Sequence, residues 1–149
     1  MTIYLSFMNA ALELVETVIT TFRTLRVAGG KLHGRSGPLT GERGVIMDLA
    51  RIGPDTVPNM ARVRGTSRQH VQVIVDRLIA AGQAERRENP ASRRSPLIAL
   101  TRRGHAEARR MAAREGAFFV EHVKLSAAEM RRAAATLRAL TAAIAEASR

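Results

Sequence analysis

Between residues 62 and 103 the sequence sets ten arginines against three acids, in a stretch whose hydrophobic period changes from helical to alternating. That change constrains the chain more than any other feature. Val71, Ile74, Val75 and Leu78 repeat at helical spacing, whereas 84–88 and 97–100 read as short strands around the tip Asn89-Pro90-Ala91-Ser92-Arg93-Arg94-Ser95. A helix feeding straight into an arginine-tipped hairpin leaves few ways to bury both apolar faces. The charge follows the same boundary: residues 62–103 carry +7, and the other 107, with fourteen basic and ten acidic side chains, carry +4. The basicity is therefore concentrated on one region, as a polyanion-binding face requires.

The flanks are helical. Leu5, Met8, Leu12, Val15, Ile19 and Phe22 are spaced 3, 4, 3, 4, 3, a seam on one face of an N-terminal helix. Gly29, Gly30, Gly34, Gly37 and Pro38 are expected to end it in a loop of roughly ten residues. The same rhythm returns at Met130, Ala133, Leu137, Leu140, Ile144 and Ala147, behind a capping box, Ser126-Ala127-Ala128-Glu129. Two seams at opposite ends of the chain either pack on each other or interlock with those of a second copy. Two-fold symmetry adds affinity and register to a reader with one recognition helix, so a homodimer is expected.

Between the flanks the pattern predicts a helix from Thr40, its N-cap, to Ile52, with Val45, Ile46, Leu49 and Ile52 as the buried stripe. A short helix over 58–63 follows, begun by Pro58, then a turn at Gly65 and a helix over 68–81 capped by Ser67. Thr101 is expected to cap a long helix carrying Ala108, Met111, Ala112 and Phe119; Pro96 suits the second strand only at a sheet edge. The fold class expected is mainly α with a small β-hairpin wing: a winged helix-turn-helix whose terminal helices form a dimerisation region. One domain spans 1–149, with the winged helix-turn-helix over 39–104 and the dimerisation helices over 1–37 and 105–149.

Counting about 100° per residue away from the apolar stripe puts Gln69, Gln72, Val73 and Asp76 on the outer side of the 68–81 helix, with His70 and Arg77 on its flank. Glutamine amides pair bidentately with adenine edges, and an exposed aliphatic meets a thymine methyl. The candidate DNA-reading set is Ser67, Arg68, Gln69, His70, Gln72 and Val73, with a helix N-terminus suited to a phosphate. Arg93 and Arg94 at the hairpin tip are candidates for the minor groove. Arg86 and Arg87 alternate along a strand, so only one of them faces a duplex.

Other chemistries find little support. There is no cysteine, hence no disulfide, thiolate metal site or thiol switch, which fits a reducing cytoplasm. His33, His70, His105 and His122 lack metal-ligand spacing, so no metal and no cofactor is expected. No phosphate loop, dinucleotide fingerprint or nucleophile elbow occurs, and no catalytic residue is assigned. Glu13 and Glu16 interrupt the apolar N-terminus, which argues against a signal peptide or a membrane span.

Leu39-Thr40, Met60-Ala61, Ser67-Arg68, Val75-Asp76-Arg77-Leu78, Gly82, Asn89-Pro90, Arg93-Arg94 and Leu100-Thr101-x-x-Gly104 together resemble the MarR (multiple antibiotic resistance regulator) family of bacterial transcription factors. The resemblance covers 39–104 closely and, outside that stretch, only length and helix order. It implies a cytoplasmic homodimer, usually a repressor, released from a palindromic DNA operator by a small-molecule effector or an oxidant. It further implies Ser67 to Val73 as the major-groove helix and Arg94 as the wing-tip arginine. Three positions depart from the pattern. Ser92 replaces an aspartate that orients the wing arginine, Pro96 stands in the second wing strand, and Arg64 replaces an apolar residue, which would loosen the turn or add a phosphate contact. In such regulators the effector, often a phenolic or aromatic acid, binds where the dimerisation helices meet the reading head. Tyr4, Phe22, Arg26 and His33 lie in that region, Phe22 read as core and Arg26 as surface. With aromatics at 3% of the chain, no pocket residue is assigned. The alternative reading is a winged-helix interaction module whose basic face docks on an acidic protein, with DNA binding incidental.

Overall fold

The computed structural model describes residues 2–33 and 41–148. Its elements run α1 (Thr2–His33), α2 (Glu42–Ile52), β1 (Asp55–Thr56), α3 (Val57–Val63), α4 (Arg68–Ala80), β2 (Ala84–Arg87), β3 (Leu97–Leu100), α5 (Arg102–His122) and α6 (Ala127–Ala147). This is the expected winged helix-turn-helix between long terminal helices. The chain divides into two compact units, Met1–Glu115 and Gly116–Arg149.

In the first unit, Val45, Ile46 and Leu49 of α2, Met60 and Ala61 of α3 and Val71, Ile74, Val75 and Leu78 of α4 close over Ala84, Ile98 and Leu100 of the sheet and Ala108 of α5. Ile52 departs from the expected stripe. It is 59% exposed, because α2 ends there, beyond the last turn that meets the core. The expected cap Thr40 lies outside the described residues; Gly41 occupies the N-cap and makes no side-chain cap bond. α1 runs through Gly29 and Gly30 to His33, since a helix-interior glycine costs only about 1 kcal/mol and does not by itself break a helix.

The sheet has the order β1-β3-β2 and is antiparallel throughout, with Arg86 opposite Ile98 and Asp55 opposite the same residue from the other side. β3 is thus the central strand, not an edge. Pro96 is tolerated because it lies one residue before the ladder, where no donor is needed.

Two turns position the reading elements. α3 ends in a Schellman motif: Gly65 at φ +60° donates to Arg62 O (3.2 Å), and Thr66 N donates to Ala61 O (3.0 Å). α4 ends the same way, with Gly82 at φ +68° donating to Ile79 O and Gln83 N to Leu78 O. α5 docks on that second turn. Thr101 N donates to Gln83 O (3.0 Å), Thr101 Oγ1 donates to Gly82 O (2.7 Å) and accepts from Gly104 N (3.2 Å), which caps α5 as expected. At Gly104 a Cβ would sit 2.0 Å from Gln83 O, so the close approach requires glycine.

α1 keeps its apolar seam in the open, from Leu5 and Met8 through Leu12, 59% exposed, to Phe22, which is therefore not a core residue of this chain. In the second unit the end of α5 turns through 123–126 into α6. The capping box forms there, with Ser126 Oγ accepting from Glu129 N and Ser126 N donating to Glu129 Oε2 (2.8 Å). α6 buries no residue, and Met130, Leu137 and Ile144 of its seam are exposed.

Candidate nucleic-acid interface

The hydroxyl of Ser67 accepts from His70 N at 3.1 Å and starts α4, so its polar atom holds the helix end. Arg68, Gln69 and His70 are exposed on the first turn; Gln72 and Val73 follow one turn later, Val73 at 43% exposure. The positive end of the α4 dipole coincides with these side chains.

Across from them stands the wing. Its tip is held by Asn89, whose Nδ2 donates to Ser95 O (2.7 Å) and whose Oδ1 accepts from Ala91 N (3.0 Å), while Ser92 N donates to Asn89 O (3.0 Å). Arg68, Gln69, Gln72 and Val73 of α4 and Arg94 of the wing line one open concavity of about 490 Å³, together with Val57, Pro58, Arg86 and Ile98. Arg93 lines a second depression with Arg87, Asn89 and Pro90, which shares Arg86 and Pro96 with the first. The two tip arginines therefore line adjoining depressions.

Three features went unseen in the sequence. β1 is one, too short to show a period. The second is a polar chain on α3: Asp55 accepts two bonds from Asn59 Nδ2 (3.0 and 2.9 Å), and Asn59 Oδ1 accepts from Arg62 Nη2 (2.7 Å). Arg62 so held shares a depression with Thr66 and Arg68, two guanidinium groups suited to one phosphate. Asn59 and Arg62 at spacing i, i+3 were the available signal. The third is Arg86, whose Nη2 bonds Asp76 Oδ1 (2.6 Å), while Arg87 bonds Glu85 on the opposite strand face (2.7 Å).

Arg64 does not loosen the turn. Its guanidinium, 14% exposed, bonds Asp48 Oδ2 of α2 at 2.6 Å and lies against Gly44, where a Cβ would come within 2.3 Å of Nη2. It clamps the α3–α4 turn to α2. Beside it, Arg43 of α2 makes a two-pronged ion pair with Glu115 of α5.

A solved MarR family transcription regulator, SP03579, superposes with a TM-score of 0.71 at 25% identity over 95% of this chain and 94% of its own. The chain has a MarR-type winged-helix fold. Two further MarR structures share the fold: Escherichia coli MarR in its apo form (TM-score 0.69, 19% identity, 85% of this chain and 95% of its own) and a Listeria monocytogenes MarR family regulator complexed with a 26-mer DNA (TM-score 0.66, 13% identity, 89% of each). In sequence, the uncharacterized protein Rv2011c of Mycobacterium tuberculosis is 37% identical over 92 residues, which are 62% of this chain and 64% of that relative. No family model matches the sequence. The MarR-type fold accounts for the order of the elements; the arginine clamp at Arg64 stands where the sequence departs from the family pattern.

Proposed function

We propose that this chain is a sequence-specific, homodimeric DNA-binding transcriptional regulator, acting as a repressor that a small-molecule effector modulates. The observation that carries the reading is the shared concavity of α4 and the wing. Amide, aliphatic and guanidinium groups stand together there on an exposed, arginine-rich face, the mixture that base edges and phosphates require. Basal affinity is assigned to the arginines, Arg62, Arg68 and Arg94 among them, and sequence preference to Gln69, Gln72 and Val73.

Dimerisation is supported by the uncovered seams of α1 and α6, each an apolar face that gains from burial against a second copy. Ile3–Ala28 is long and apolar enough to cross a bilayer by length and composition. A second copy is the better occupant, because Glu13, near the middle of that stretch, would be costly in hydrocarbon. In detergent-free buffer, light scattering is expected to give twice the 16.2 kDa chain mass.

The deciding experiment is selection of the purified protein against a random duplex library at about 150 mM salt. An inverted repeat with half-sites about one helical turn apart is expected. With roughly six to ten phosphates neutralised per dimer, affinity should fall about 10³- to 10⁵-fold between 50 and 200 mM salt. Recovery of no motif, or a flat salt response, would overturn the reading in favour of an interaction module for an acidic protein. Effector modulation is tested on the recovered operator with a panel of aromatic carboxylic acids; an unchanged affinity across the panel counts against that class of effector.

A further inference from the structure

An acid lines the concavity proposed to take DNA. Asp76, with its side chain 53% exposed, stands on the outward face of α4 among arginines, where it repels phosphates. Its Oδ1 accepts from Gln72 Nε2 at 2.9 Å and from Arg86 Nη2 at 2.6 Å. Resting on the DNA-binding reading, we propose that Asp76 is a specificity-determining positioning residue, which sets the orientation of the Gln72 amide and withholds Arg86 from the phosphates.

The chemistry follows from what each group offers. An ionised carboxylate only accepts hydrogen bonds, so Gln72 must turn its NH₂ toward Asp76. The amide oxygen and the second N–H then remain outward, one acceptor and one donor in a set order, the pair that an adenine edge takes. Without the carboxylate the amide rotates through both orders, and the preference it expresses is lost. Arg86 reaches Asp76 from β2, ten residues along the chain, so the same oxygen ties the reading helix to the wing. A guanidinium held this way is a brace; released, it is a phosphate ligand. Arg87 next to it is held by Glu85 on the other strand face and cannot take its place.

Asp76→Asn tests this in the full-length protein, since the half-exposed, isosteric change leaves the core untouched. Affinity is measured for the selected duplex and for a scrambled duplex of equal length. For the scrambled duplex it is expected to rise about 3- to 10-fold, with a log–log salt slope steeper by about 0.9 per reading head, as one more phosphate is neutralised. The selected-to-scrambled ratio is expected to fall roughly 10-fold or more, with preference relaxed at one position per half-site. Arg86→Ala in the wild-type background should lower scrambled-duplex affinity less than Arg94→Ala does, and in the Asp76→Asn background should erase the gain. Equal loss on both duplexes would overturn the proposal, and so would a switch of preference to a different base, which would make Asp76 itself a base reader. Wild-type protein with no preference for any duplex would instead sink the DNA-binding reading beneath it, before any variant is made.

Discussion

Replacing Gly104 with alanine tests the docking of α5 on the end of α4. The new Cβ would lie 2.0 Å from Gln83 O, and 3.0 Å from both Gln83 C and Leu100 Cδ2. An ordinary carbon–oxygen contact is about 3.3–3.6 Å, so helix and turn must separate by more than about 1 Å. The obstacle is backbone, and no rotamer change relieves it. Separation on that scale stretches Thr101 N to Gln83 O, now 3.0 Å, and Thr101 Oγ1 to Gly82 O, now 2.7 Å, beyond hydrogen-bond length. Two such bonds at about 0.5–1.5 kcal/mol each, with about 1–3 kcal/mol for overpacking, give a loss of about 2–6 kcal/mol. For a chain of this length that is a fall in Tm of about 4–24 °C, read by circular dichroism at a single protein concentration. Gly116, also in α5 but with nothing within 4 Å of its would-be Cβ, is the control. Gly116→Ala should raise stability by up to about 1 kcal/mol through helix propensity, and a loss there would mean that a second chain covers the site. A Gly104→Ala protein within about 0.5 kcal/mol of wild type would refute the reasoning.

Arg64→Ala is expected to cost about 1–3 kcal/mol in denaturant melts by removing the closer of two partners of the partly exposed Asp48, Arg51 at 3.7 Å remaining, and unclamping α2, with little change in salt slope on DNA; a shallower slope at full stability would make Arg64 a phosphate ligand. Leu12→Glu in the α1 seam should turn a dimer into a monomer by light scattering while leaving α4 and the wing folded, and a dimer that survives the change would move the interface off α1. The carboxyl of Glu129 is held below the usual glutamate range, first by the Ser126 hydroxyl and then by the Ser126 backbone N–H. Because the folded value is depressed, the capping box contributes fully above the ordinary glutamate pKa and is lost as pH falls through the depressed one; amide exchange at Ser126 should quicken over that window, and Glu129→Gln should flatten the response.

The reading elements were legible because each has a local cause. Ser67 is followed by apolar residues at helical spacing, Gly65 and Gly82 stand where a Schellman turn needs positive φ, and Ser126 with Glu129 writes a capping box into four residues. Ile52 fits the α2 period as well as Leu49 does and is nonetheless exposed, since periodicity says which face a residue occupies and not how far along that face the core extends. Gly29 and Gly30 misled in the opposite direction, because a propensity of about 1 kcal/mol is small against the cooperative length of a 32-residue helix. Pro96 pointed to an edge only while the sheet had two strands. The two-residue β1, paired with β3 at Asp55 and Thr56, makes β3 central and carries no periodic signal of its own.

The candidate site divides along the same line. Gln72 and Asp76 are four apart on one helix, so their contact is implied once the outward face is known. Arg86 is not implied, because a strand tells only that Arg86 and Arg87 point opposite ways; which one reaches α4 depends on the register Arg86↔Ile98, and register is set by the core on the far side of the sheet. Arg64 shows the reverse. As a charge in a turn it looks like a phosphate ligand, and only the glycine at position 44, twenty residues upstream, opens the space that lets its guanidinium lie down on α2 and bond Asp48. Counting arginines therefore locates the basic face, while the part each one plays is decided by the nearest carboxylate: Asp48 makes Arg64 structural, Glu85 occupies Arg87, Asp76 restrains Arg86. Arg62 is held by an amide oxygen, which orients the guanidinium without cancelling its charge.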